Sequence, residues 1–172
     1  IDNNFNTQRI KNMMALVSPT NKISFAKNTY TDITSITVDR NVDIDFGNSV
    51  LNLSLDSNGL PSNLFFMSEG QRSDNYQLDY FKLSNLNIVG NTNYIWDGTM
   101  PSGYSGTYRR CIQLFNIQTV ELNNISLSHF LVGTSGSYTQ DWIGRYQLSA
   151  ISVFYYKNLH INPPCAYYSI KS

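Results

Sequence analysis

The chain carries two patterns of apolar and polar residues, one near its start and another over the rest of its length. Near the start, four apolar residues recur at the i, i+3, i+4, i+7 spacing of one helix face: Ile10, Met13, Met14 and Val17. The pattern predicts a helix over residues 7–17, with Thr7 as its N-cap and Ser18-Pro19 at its end. Because this apolar face is narrow, we expect the helix to lie as a cap over another part of the fold.

Beyond Pro19 the pattern becomes strict alternation, in runs of three to five residues. The apolar members of these runs are Ile23, Phe25, Ile36, Val38, Val42, Ile44, Phe46, Leu51, Leu53, Leu55, Leu83, Leu86, Ile88, Ile112, Leu114, Val120, Leu122, Ile125, Leu127, Ile151, Val153, Leu159 and Ile161. Alternation of this kind is typical of short β-strands with one buried face. The 12 Tyr and 9 Phe also favour strands, so the sequence predicts an all-β protein.

A short unit recurs along these strands: Asn, an apolar residue, any residue, and a second apolar residue. It begins at Asn41, Asn52, Asn85, Asn124 and Asn158. From Asn41 the intervals to Asn85, Asn124 and Asn158 are 44, 39 and 34 residues, which suggests stacked coils with inserted loops of variable length. Asn in a left-handed conformation can turn a corner between strands, and stacked Asn side chains can hydrogen-bond to one another. The pattern therefore predicts a parallel β-helix.

A β-sandwich or jelly roll is the alternative, since it also uses many short alternating strands. Such folds usually join strands through tight Asn-Gly or Asp-Gly hairpins. In this chain Asn58-Gly59 and Asp97-Gly98 lie in predicted loops, and the corners carry Asn without Gly. The parallel β-helix is therefore the favoured prediction.

Composition and charge exclude several classes of partner. The 172 residues carry 12 Lys and Arg against 12 Asp and Glu, so we expect no nucleic-acid partner. No apolar run is long enough to span a bilayer, so membrane insertion is not expected either. Cys111 and Cys165 form neither a disulfide framework nor a zinc motif, and each is expected to be a buried small residue. No metal site and no cofactor are predicted.

The first fifty residues resemble a known entrance sequence. The run Lys22-Ile23-Ser24-Phe25-Ala26-Lys27-Asn28-Thr29-Tyr30, followed by Ile36-Thr37-Val38-Asp39-Arg40-Asn41-Val42-Asp43-Ile44-Asp45-Phe46-Gly47, resembles right-handed parallel β-helices of the pectate-lyase-like superfamily. The resemblance is especially to the phage tailspikes and polysaccharide depolymerases of this superfamily. Ala26-Lys27-Asn28 departs from the usual Pro-x-Gly turn, and Asn28 can take the left-handed position.

The resemblance implies an all-β, right-handed parallel β-helix with a short N-terminal capping helix and long inserted loops. It divides the chain into a capping segment, 1–21, and coils over 22–172 that we expect to belong to a longer protein. It also implies a homotrimer in the virion tail, alongside other virion tail proteins, or alternatively an extracellular protein. The function it implies is that of a tailspike or receptor-binding protein that binds, and in some members cleaves, host cell-surface polysaccharide.

Three predicted loops carry the candidate chemistry, over about residues 56–79, 91–110 and 133–149. Both Trp residues fall in the later two, each beside an Asp, with Tyr and Arg nearby. Aromatic rings stack on sugar faces while charged and amide groups bind hydroxyls. The predicted glycan-binding residues are Tyr94, Trp96, Tyr104, Arg109, Trp142 and Arg145. The alternative is that the two Trp residues only anchor their loops.

Cleavage of a glycosidic bond by hydrolysis requires two carboxyl groups. The candidates are Asp97 and Asp141 on successive loops, followed by Glu69 in the first loop. Asp43 and Asp45 share one solvent-facing side of a predicted strand, and Glu121 points outward, so these three are interpreted as surface residues. Two alternative functions stay open: a non-catalytic adhesin or structural virion protein, and a secreted bacterial polysaccharide lyase or glycosidase.

Overall fold

A computed structural model of the chain describes residues 5–18, 21–55, 61, 63–67, 75–90, 111–130, 151–162 and 166–169. These residues are mostly β-strand, with one short helix, α1 (Phe5–Met14). The strands are β1 (Ile23–Ser24), β2 (Thr29–Ile33), β3 (Ile36–Thr37), β4 (Val42–Leu53), β5 (Phe65–Phe66), β6 (Leu78–Val89), β7 (Ile112–Phe115), β8 (Ile117–Phe130), β9 (Ile151–Phe154), β10 (Asn158–Asn162) and β11 (Ala166–Ser169). The prediction that the chain is largely β is confirmed.

The strands form two sheets in which every named pair is parallel. The large sheet has the order β1-β4-β6-β8-β10, with β2 also paired to β4 and β11 also paired to β8. The small sheet has the order β3-β5-β7-β9. Apolar side chains from both sheets meet in one core, where Phe65 of β5 and Phe81 of β6 make an edge-to-face contact with ring centroids 5.3 Å apart.

The prediction of a right-handed parallel β-helix is wrong for what the structure describes. The described residues form two open parallel sheets, and neither of these sheets closes on itself. Alternating apolar residues determine which side chains face a core and favour strand pairing, but they do not determine how the chain passes from one strand to the next. Residues 56–60, 68–74, 91–110 and 131–150, which the prediction treated largely as inserted loops, lie outside the described residues.

The strand register is constant across β6, β8 and β10 and over the first half of β4. Val42 pairs with Phe81, Phe81 with Val120, and Val120 with Leu159, and each step is 39 residues. The first three side chains are fully buried. The Asn units of the sequence are unevenly spaced because they do not occupy equivalent positions in their strands. Asn41 directly precedes a strand and Asn158 begins one, whereas Asn85 and Asn124 lie in the middle of one.

The long strands bend where left-handed residues interrupt them. Asn48 in β4, Asn85 in β6 and Asn124 in β8 all have positive φ. The Asn124 amide donates to Asn85 Oδ1 at 2.9 Å and lies 3.3 Å from Asn48 Oδ1, so the predicted ladder of Asn side chains is confirmed here. In β4 the bend also includes Gly47, with φ +59, where a Cβ atom would lie 2.3 Å from the carbonyl oxygen of Phe25.

Two local predictions for the start of the chain are wrong in detail. The helix begins two residues before Thr7, so Thr7 is not its N-cap; the Thr7 side chain is buried and its Oγ1 accepts a 2.9 Å hydrogen bond from the Thr34 backbone N–H. Asn28 is not left-handed. Its backbone N–H instead donates to Ser49 Oγ at 3.1 Å, which joins this segment to β4. The helix does pack on β2 and β4, as a cap would.

Cys111 behaves as the small buried residue that the sequence predicts. It is fully buried at the start of β7 and forms no disulfide with the described residues. Burial raises the pKa of its thiol far above the ordinary value. The thiol is therefore neutral and unreactive at physiological pH.

Candidate functional site

The residues that the sequence nominates for catalysis and glycan binding lie outside the described residues. This applies to the three carboxylates Asp97, Asp141 and Glu69 and to all six predicted glycan-binding residues: Tyr94, Trp96, Tyr104, Arg109, Trp142 and Arg145. Their roles stay predictions. The described part of the chain presents a different polar surface on the large sheet.

This surface, which we call the outward face, consists of polar residues that alternate with the buried residues of β4, β6 and β8, together with the residues of β10 that pair with them. Because these strands pair in register, equivalent side chains line up across the sheet in three rows. The charged row contains Asp43, Lys82, Glu121 and His160. The second row contains Asp45, Ser84, Asn123 and Asn162. The tyrosine row contains Tyr80, Thr119 and Asn158.

An ion pair forms the centre of the charged row. Lys82 Nζ lies 3.0 Å from Glu121 Oε1 and 5.8 Å from the centre of the Tyr80 ring. Hydrogen bonding to Glu121 and the negative charges of Glu121 and Asp43 raise the pKa of Lys82, against the opposing effect of partial burial. Lys82 is therefore a cation at neutral pH and does not act as a proton-accepting base.

The start of the second row is fixed by hydrogen bonds to one carboxylate. Asp45 Oδ1 accepts from the Asn85 amide at 2.9 Å and from the Gly47 backbone N–H at 3.0 Å, and Asp45 Oδ2 lies 3.5 Å from Lys22 Nζ. Desolvation is the largest single influence on its pKa and raises it, but the two hydrogen bonds and Lys22 together lower the pKa below the ordinary value. Asp45 is thus an ionised group that holds the bend in place. At the far end of the row, the Asn162 amide donates to Asn123 Oδ1.

Asn41 fixes the strand that presents the tyrosine row. Its Oδ1 accepts from the backbone N–H groups of Asp79 and Tyr80, at 2.9 and 3.3 Å, and its amide donates to Asp79 Oδ2 at 3.2 Å. Farther along the row, the Asn158 amide donates to Thr119 Oγ1 at 3.3 Å. These bonds hold the half-buried Tyr80 ring at the edge of a strip of hydroxyl and amide groups.

The sequence correctly placed Asp43, Asp45 and Glu121 on outward positions, because they alternate with apolar residues that are buried. It missed the grouping with Lys82, Tyr80 and His160. A shared spacing of 39 residues links Asp43, Lys82, Glu121 and His160, and this signal could have revealed the row. The Asn units did not reveal the 39-residue spacing, because they occupy different positions in their strands. Two of the five are left-handed residues and the other three are not.

The described residues also form a hollow outside the large sheet. A hollow of about 180 Å³ lies between α1 and the start of the small sheet, lined by Lys11, Met14, Ile36, Thr37, Asp39 and Arg40. Arg40 pairs there with Asp39 at 2.8 Å, and the pairing lowers the pKa of Asp39.

Over the ranges that the structure describes, no group of three His, Cys, Asp or Glu side chains could hold a metal ion, and no helix is long and apolar enough to cross a membrane.

The outward face can bind ligands through many weak hydrogen bonds. It offers carboxylate acceptors, amide and ammonium donors, hydroxyls and an aromatic ring on a rigid sheet, with neighbouring strands about 4.8 Å apart. Polar groups of this kind, repeated beside an aromatic ring, suit a polyhydroxylated ligand. Comparison of the chain with protein-family models, with curated proteins and with solved structures finds no match.

Proposed function

We propose that this protein binds an extracellular polysaccharide through the outward face of its large sheet. The observation that carries the proposal is the alignment of polar side chains into three rows, two of which cross β4, β6, β8 and β10 and one of which crosses β6, β8 and β10. A polymer of sugars placed along the rows meets a hydrogen-bonding group at each strand, so several weak contacts add up along one chain.

The chemistry of the rows supports a sugar ligand more than the other classes of polymer. Nucleic acid is disfavoured because the face carries the carboxylates Asp43 and Glu121 around its single central cation, Lys82. An apolar partner is disfavoured because the rows contain one aromatic ring, Tyr80, among hydrogen-bonding groups. Sugar hydroxyls can both donate to carboxylates and accept from amides and ammonium groups.

The broader biological setting belongs to the same proposal. The protein is a receptor-binding part of a phage tail, assembled as a homotrimer with other virion proteins, and it attaches the virion to host cell-surface polysaccharide. The resemblance of residues 22–47 to tailspikes supports this setting. If the bound polymer is cleaved, the proposed catalytic residues are Asp97, Asp141 and Glu69. Cleavage is measured as the release of reducing ends from the polymer.

Retention of the purified chain on immobilised bacterial surface polysaccharides tests the proposed binding. We expect Tyr80→Ala to weaken retention at least fivefold on any polymer that the wild-type chain binds, because the ring contact is lost. Tyr80→Phe keeps the ring and is the matched control. Thermal melting of each variant shows whether the fold is retained.

Two results would reject the proposal in different ways. If no surface polysaccharide retains the wild-type chain, the protein does not bind such polymers. If retention is strong but Tyr80→Ala leaves it unchanged while Trp96→Ala or Trp142→Ala abolishes it, the binding surface is in the predicted loops and not on the outward face.

A further inference from the structure

The charges on the outward face are unbalanced, although the chain as a whole is neutral. With 12 basic and 12 acidic residues, the chain has a formal charge of zero. The three rows carry three carboxylates, Asp43, Asp45 and Glu121, against one ammonium group, Lys82, and Lys22 lies beside Asp45 at the edge of the second row. With histidine counted as neutral, these groups have one more negative than positive charge.

The excess negative charge is at Asp43. Lys82 pairs with Glu121 at 3.0 Å, and Lys22 lies 3.5 Å from Asp45. Asp43 has no ion pair within 4.0 Å in the part of the chain that the structure describes. Asp43 lies beside Lys82 in the charged row, but the Lys82 ammonium contacts Glu121.

A polymer lying along the rows passes directly over these carboxylates. A sugar carboxylate brought beside Asp43 is repelled, and the repulsion recurs along an acidic polymer. Lys82 cannot fully offset this, since its charge is already shared with Glu121. A sugar hydroxyl or amide meets no such repulsion, because it can donate a hydrogen bond to Asp43.

We propose that the outward face selects polysaccharides whose sugars carry no carboxylate, and that it discriminates against polymers of uronic or other acidic sugars. This inference depends on the polysaccharide binding proposed above and specifies its substrate class. Asp43 determines the selectivity, while Tyr80 and the amide groups supply contacts that both kinds of polymer can use.

Matched polymers that differ only in charge test this selectivity. A panel of uronate-containing bacterial polysaccharides is immobilised in native form and after chemical reduction of the carboxyl groups to alcohols, with neutral polysaccharides beside them. We expect the wild-type chain to bind the reduced form at least about tenfold more tightly than the native form, in low salt where repulsion is strongest.

Charge-neutralising variants identify the residues responsible. Asp43→Asn is expected to bring binding of the native acidic form to within about threefold of the reduced form. Asp39→Asn is the matched control, because Asp39 is an exposed carboxylate beside α1 and outside the rows. Added salt should likewise narrow the difference for the wild-type chain.

The outcomes separate this inference from the proposal on which it depends. Equal or tighter binding of the native acidic form by the wild-type chain overturns the selectivity and leaves polysaccharide binding intact. A preference for the reduced form that Asp43→Asn does not change also overturns it, since the selectivity would then come from other residues. Failure to bind any polymer in the panel rejects the binding function, and the selectivity with it.

Discussion

The middle and the edge of the large sheet carry the same pattern of residues but differ in burial. Ile44, Leu83, Leu122 and Ile161 occupy one row of the inward face and pair in register. The first three are fully buried, whereas Ile161 on β10 is 39% exposed. The difference shows that an inward apolar residue is buried only when strands or the helix cover it on both sides.

The largest effect that we expect compares two residues in this row. Leu83→Ala should lower the free energy of unfolding by roughly 3–5 kcal/mol, because it leaves a cavity in a packed core. Ile161→Ala should lower it by about 1 kcal/mol or less, since its side chain already contacts water. Urea unfolding of both variants measures the difference, and equal losses would show that β10 is as well packed as β6.

The bend in β4 should be the next most sensitive point. Gly47→Ala should cost about 2–4 kcal/mol, because its Cβ would clash with the Phe25 carbonyl oxygen and φ is positive. Asn48→Gly is the control at the adjacent left-handed residue, where loss of the side chain should cost less than about 1 kcal/mol. Thermal and urea unfolding would contradict this order if Asn48→Gly were the more damaging change.

The hydrogen bonds of Asn side chains give a second comparison between the middle and the edge of the large sheet. Asn85→Ala removes one bond to Asp45 and one from Asn124, and it places Ala at a left-handed position, so we expect a loss of about 1–3 kcal/mol. Asn158→Ala removes an exposed bond to Thr119 on the edge strand and should cost below about 1 kcal/mol. Similar losses in urea unfolding would mean that the ladder contributes no more than a surface bond.

The identity of the buried residues could be predicted from the sequence, whereas their alignment could not. Alternation alone correctly marked Val42, Leu83 and Leu122 as inward residues, because burial of one face is a local property of a strand. The Asn units gave the wrong alignment of one strand with the next, because both halves of a bent strand show the same alternation. Asn85 and Asn124 lie at the bend, but Asn41 precedes its strand.

The candidate site was only partly predictable for a related reason. Outward positions for Asp43 and Glu121 follow from alternation, but their place beside Lys82 depends on which strands pair. Strand order is set by long-range packing that no local pattern contains. The sequence instead favoured aromatic residues in predicted loops, and those positions stay predictions.

The smallest effect concerns acid stability at the bend. Hydrogen bonds from Asn85 and Gly47, with Lys22 nearby, lower the pKa of Asp45 in the folded protein, against desolvation. Its contribution is therefore fully present above the pKa of the unfolded chain and is lost as the pH falls through the folded-state pKa. Asp45→Asn should remove this part of the acid dependence and change unfolding free energy by less than about 1 kcal/mol, because the carboxylate is partly exposed.

Urea midpoints measured between about pH 2.5 and 6 can detect this small change. Asn85→Ala keeps the carboxylate but removes one of its donors, so its acid dependence should lie between those of the wild type and Asp45→Asn. A wild-type slope retained in Asp45→Asn would assign the acid sensitivity to other carboxylates. The bend would then be stabilised by Gly47 and the Asn ladder without any contribution from the charge of Asp45.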